Sequence, residues 1–135
     1  MMAASSSAVV AVVNTSEDIT AFLTQVLAEE GYCPVVGYVI DFREGRQDLA
    51  AFLAAHHPAA MIWDIAFPYE QNWAFFQKVQ GHAGSHGCRI LLTTTNKRAL
   101  EDLVGPTSTR ELLGKPYDLD QLLTAVQQAV AASAD

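Results

Sequence analysis

The sequence predicts an α/β protein with a doubly wound, five-stranded parallel sheet between layers of helix. Three observations predict it. Short apolar runs alternate with segments of helical period along the whole chain, the pattern of a βαβ series. Polar side chains recur just past the apolar runs, where such a sheet carries its functional edge. The 135 residues make one domain, enough to bury about two-thirds of the surface an unfolded chain exposes.

The elements follow in order. Residues 1–7 are small and polar and read as a disordered start, so the domain spans 8–132. Ala8 to Val13 is an apolar strand, too short for a membrane span and without the basic flank of a signal peptide. Ile19, Phe22, Leu23, Val26 and Leu27 then repeat at helical spacing, with Thr15 or Ser16 as N-cap and Gly31 as terminator. Val35 to Ile40 reads as the second strand, Asp41 to Arg46 as a loop, and Leu49 to Ala55 as a helix stopped before His57-Pro58.

Ala59 to Trp63 is the third strand and leads into Asp64. A helix after Pro68 carries Trp73, Phe76 and Val79 inward, and Gly81, Gly84 and Gly87 are expected to break it. Ile90 to Leu92 is the fourth strand, ending in Thr93-Thr94-Thr95-Asn96, and Lys97 to Val104 is a brief helix cut by Gly105-Pro106. Glu111 to Leu113 is a short fifth strand. Asp118 to Ala132 closes the chain as a helix, with Asp118 and Gln121 spaced as a capping box and Leu119, Leu122, Leu123, Val126 and Val130 on one stripe.

Composition narrows the function. A net charge of −7 with only eight Lys and Arg argues against nucleic acid, whose phosphates need clustered cations. Cys33 and Cys88 are too few to staple a chain of this size and fit a reducing cytoplasm.

Asp64 is the most informative residue. An ionised carboxylate beside Met61-Ile62-Trp63 costs free energy unless it is paired, hydrogen-bonded or metal-bound. The strand ends supply candidates: Asn14 and Thr15 after the first strand, Thr93 after the fourth and Lys115 after the fifth. A carboxylate, a hydroxyl and an ammonium around one crevice can seat a phosphoryl group.

From about Val9 to Val130 the chain resembles the receiver domain of bacterial response regulators. The matching motifs are Asp64 followed four residues later by Pro68, Ile90-Leu91-Leu92 ending in Thr93 and the small Thr94, and Lys115-Pro116-Tyr117. The resemblance implies a flavodoxin-like (βα)5 three-layer sandwich and a stand-alone signalling module rather than an enzyme. It implies that Asp64 accepts a phosphoryl group from a histidine kinase or phosphotransfer protein, with Thr93, Thr94 and Lys115 around the phosphate. It implies a downstream protein partner and leaves a homodimer open, while the charge and the short apolar runs point away from nucleic acid and membrane.

The chain departs from the family at two places. Where receivers hold Mg²⁺ with an acidic pair after the first strand, this chain has Asn14 and Thr15. Only Asp64 and the Ala66 carbonyl remain as metal positions, so a weak or absent Mg²⁺ site is expected. Glu17 and Asp18 read better as first-turn acids complementing a helix dipole. The aromatic switch position, three residues before the lysine, is Leu112. Two other readings follow: a phosphorylation-independent pseudo-receiver that binds proteins, and a flavin or nucleotide binder using the hydroxyl-rich turns at Thr15-Ser16 and Thr93 to Thr95.

Overall fold

The computed structural model describes residues 8–85, 87–94, 96–106, 110–111 and 119–133. Strand β1 (Val9–Asn14) is followed by helix α1 (Glu17–Glu29), β2 (Cys33–Tyr38), α2 (Val39–Arg43), α3 (Leu49–His56) and β3 (Ala60–Asp64). Then come α4 (Tyr69–Ser85), β4 (Arg89–Thr94), α5 (Lys97–Val104), β5 (Arg110–Glu111) and α6 (Leu119–Ser133). All strand pairs are parallel, in the order β2-β1-β3-β4-β5. Four strands are five or six residues long, and β5 contributes only two.

The β-branched run Val9-Val10 and Val12-Val13 suits the centre of such a sheet, covered on both faces. Its alternate residues serve two cores. Val10 and Val12, with Ile62 of β3, pack against Leu23 and Leu27 of α1 and Leu122 and Val126 of α6. Ala11, Val13, Met61, Trp63 and Ile65 face the other way, against Val39, Phe42, Phe52, Phe76, Val79 and Leu100. The period of two is the ordinary consequence of pleating.

Because β1 pairs with β2 on one side and β3 on the other, the chain reverses direction across the sheet at β1 and β3. A doubly wound sheet opens a crevice at the carboxyl ends of such strands. The register places Asp64 opposite Thr93 and Val13 opposite Trp63.

The structure corrects two expectations in the described residues. The second strand runs over Cys33–Tyr38 rather than Val35 to Ile40, because the Cys33 N–H donates to Ala8 O at 2.9 Å and starts the pairing two residues early. Val39 and Ile40 therefore open α2, which also occupies half of the expected loop. Gly37 lets this happen: a Cβ there would lie 2.8 Å from the Phe42 ring, which folds back over the strand.

The second correction concerns the glycines after Phe76. Helix α4 runs through Gly81 and Gly84 to Ser85, and the turn falls at Gly87, whose φ of 71° favours glycine. An interior helical glycine costs about 1 kcal/mol relative to Ala, less than the buried contacts of Phe76, Val79 and Ala83 on the same helix supply. Residues 1–7, His86, Thr95, Leu112, Leu113 and Asp118 lie outside the described residues.

Candidate functional site

Asp64 is the last residue of β3 and 2% exposed. Its Oδ1 accepts a hydrogen bond from Thr93 Oγ1 at 3.0 Å, across the β3–β4 register pair. Its Oδ2 faces Thr15 Oγ1 at a long 3.5 Å. Burial pushes the Asp64 carboxyl up to about 6, and the two hydroxyl bonds only partly offset it. Among the described residues its partners are thus two neutral hydroxyls.

Asn14, the last residue of β1, is fully buried. Its Oδ1 accepts from the backbone N–H of Thr15 at 2.7 Å and of Ser16 at 2.9 Å. This is an Asx turn that ends the strand and delivers Ser16 as N-cap of α1, where its Oγ accepts from Ile19 N. Asn14 Nδ2 has no hydrogen-bond partner among the described residues, nor does Nε1 of the fully buried Trp63 next to Asp64.

The loop after Asp64 is tied on three sides. Ile65 N donates to Thr93 O at 2.8 Å, Thr94 Oγ1 donates to Ile65 O at 2.7 Å, and Asn72 Nδ2 of α4 donates to Ala66 O at 2.8 Å. Asn72 Oδ1 in turn accepts from Arg43 Nη1 of α2 at 2.6 Å. Phe67, at the tip of this loop, is 81% exposed and packs edge-on against Tyr69.

Asn14, Thr15, Asp64 and Thr93 therefore meet at one crevice, while Thr94 and Ala66 hold its rim. Lys115 and Pro116 lie outside the described residues. Glu17 and Asp18 are exposed in the first turn of α1. Asn72 and Arg43 escaped notice in the sequence. The one available signal for Asn72 was a polar residue in the first turn of a helix whose neighbours are aromatic. For Arg43 there is none, because the sequence of α2 reads as strand and loop.

No family model and no curated protein matches the sequence. Solved structures match by shape. A putative pilus assembly-related protein from Burkholderia pseudomallei is 18% identical with a TM-score of 0.68, over 94% of this chain and 92% of that one. A transiently phosphorylated switch in bacterial signal transduction is 22% identical with a TM-score of 0.64, over 95% and 98%. The response regulator TrrA of Thermotoga maritima, in complex with Mg²⁺ and BeF, is 20% identical with a TM-score of 0.59, over 90% and 98%.

The chain has the receiver fold. That fold raises the question of Mg²⁺ between the β1 and β3 ends, and the donors among the described residues do not fit it. Mg²⁺ demands near-octahedral oxygen ligation and draws affinity from carboxylates. Here one described carboxylate is available with one oxygen already on Thr93. Asn14 Oδ1 is committed to two backbone N–H groups, and Ala66 O already accepts an amide N–H. Among the described residues no three His, Cys, Asp or Glu side chains cluster to hold an ion.

Proposed function

We propose that this chain is a receiver-fold signalling module that works by binding a protein, with Asp64 serving as a buried hydrogen-bonded node rather than as a Mg²⁺-dependent phosphoacceptor. The observation that carries this reading is the closed state of Asp64. A nucleophilic carboxylate must meet the phosphorus of its donor in line, and this one is 2% exposed with Oδ1 held by Thr93. Phosphoryl transfer also relies on charge neutralisation by a cation, a contribution of several kcal/mol, and the donors among the described residues do not favour a metal ion. The exposed Phe67 ring beside the crevice supplies an apolar contact for a protein partner.

A second reading has its own support. Two hydroxyls, Thr93 and Thr15, point donors at the Asp64 oxygens, and TrrA of Thermotoga maritima holds Mg²⁺ and BeF on the same fold. On this reading a histidine kinase or phosphotransfer protein phosphorylates Asp64, and the module works in a two-component relay of the reducing cytoplasm.

Intact-mass spectrometry separates the two. After incubation with acetyl phosphate and Mg²⁺, the proposed function expects an unchanged mass for the wild-type chain. A gain of one phosphoryl group that disappears in Asp64→Asn overturns it and installs the second reading.

A further inference from the structure

We infer that two buried side-chain amides, Asn14 and Asn72, hold this crevice together in place of a divalent cation, and that Asn14 is the residue that excludes the ion. The inference deepens the proposed function and rests on it.

The ends of β1 and β3 lie side by side, each with a buried polar residue, Asn14 at 0% and Asp64 at 2% exposure. Two carboxylates so placed would repel, and a cation would relieve them. An amide at Asn14 removes that repulsion and removes the need. It also directs its chemistry the wrong way for a metal. The oxygen is turned to the Thr15 and Ser16 backbone N–H groups, and what remains is an N–H donor, which carries the positive end of a dipole.

The Ala66 carbonyl tells the same story from the other side. Asn72 Nδ2 donates to it at 2.8 Å, and Asn72 is 4% exposed. Behind Asn72 stands the Arg43 guanidinium, 2.6 Å from its Oδ1. A chain of hydrogen bonds polarises its members, so the charge of Arg43 strengthens the amide that holds the carbonyl. Arg43 is brought there by α2, which exists because Gly37 accommodates Phe42. The loop following Asp64 is thus fixed by the protein's own donors.

Asn14→Asp tests the inference. The substitution is isosteric, keeps one oxygen for the Thr15 and Ser16 N–H groups, and replaces a donor that has no partner among the described residues with a second oxygen beside the end of β3. The wild-type chain is expected to melt at the same temperature in EDTA and in millimolar Mg²⁺ or Mn²⁺. Asn14→Asp is expected to melt lower in EDTA and to rise saturably with the cation, by about 5 °C at ten times the dissociation constant. The gain is expected to vanish in the double variant Asn14→Asp/Asp64→Asn.

If Asn14→Asp does not fold by circular dichroism, Thr15→Asp places the new carboxylate at an exposed position of the same turn and is expected to gain the same dependence. A saturable rise for the wild-type chain overturns the inference. So does a folded acidic variant that shows no cation dependence. Wild-type phosphorylation in EDTA would overturn the proposed function while supporting cation exclusion, whereas wild-type Mg²⁺ binding without a mass gain overturns the exclusion alone.

Discussion

The two faces of the sheet are built from the same strands and differ in kind. One face is aliphatic: Val10, Val12 and Ile62 meet Leu23, Leu27, Leu122 and Val126 under two long helices. The other is aromatic, with Trp63 between Phe42 at 6.1 Å and Phe75 and Phe76 at 6.0 and 6.5 Å. By the period of two, Asn14, Asp64 and Thr93 at the strand ends continue this aliphatic face. The aromatic face carries Trp63 Nε1, which has no partner among the described residues, and leads, through α2 and α4, to Arg43, Asn72 and Ala66. The difference teaches that, among the described residues, the loop after Asp64 is braced by side chains from the aromatic side.

The largest expected effect comes from removing the centre of the aromatic face. Trp63→Ala should cost about 3–5 kcal/mol in urea denaturation, against about 2–5 for Leu27→Ala on the aliphatic face, with the larger side chain expected to cost the more. A Leu27 variant that proved the more damaging would break the asymmetry.

Next in size is the pH dependence of Asp64. Its folded value of about 6 lies above the ordinary 3.8, so the native state binds the proton more tightly than the unfolded state does. The stability this contributes is fully present below the ordinary value and is lost as pH rises through 6, on the order of 3 kcal/mol in all. Comparing chemical denaturation of the wild-type chain and Asp64→Asn from pH 4 to 7 should show this slope only in the wild type. Equal slopes would mean that Asp64 is better compensated than its two hydroxyls suggest.

Gly37→Ala should cost about 1–3 kcal/mol by pressing a methyl into the Phe42 ring, 2.8 Å away. The second variant Gly37→Ala/Phe42→Leu should recover part of the loss if the clash is the cause. The smallest effect is expected for Trp63→Phe. It keeps most of the apolar volume and removes a buried N–H that has no partner among the described residues, so a change under about 1.5 kcal/mol is expected. A larger loss would show that the indole N–H is satisfied after all.

Much of this arrangement was legible in the chain. The apolar run into Asp64 and the hydroxyls at Thr93 and Thr94 announced a strand-end site, because burial of a lone carboxylate demands donors. Asn14 and Thr15 were legible as polar residues at the end of the first strand, and the structure places them beside Asp64. What the residues did not disclose was tertiary in origin. Val39 and Ile40 have strand-forming side chains and continue an apolar run, and they became helical because Phe42 packs over Gly37. Gly81 signals a break, and α4 passes through it because its neighbours are buried. The link from Arg43 to Ala66 spans two helices and the loop after β3, and no local pattern encodes it.

The two cysteines have opposite fates. Cys33 is exposed at the start of the edge strand, while Cys88 is buried and burial pushes its thiol up to about 11. Reaction requires the thiolate and access to it. The native chain therefore offers an alkylating reagent one site and the unfolded chain two, so a fluorescent maleimide goes onto Cys33 without any engineering. The rate at which the second label appears counts openings of the aromatic layer, a built-in clock for the half of the molecule that braces the loop after Asp64.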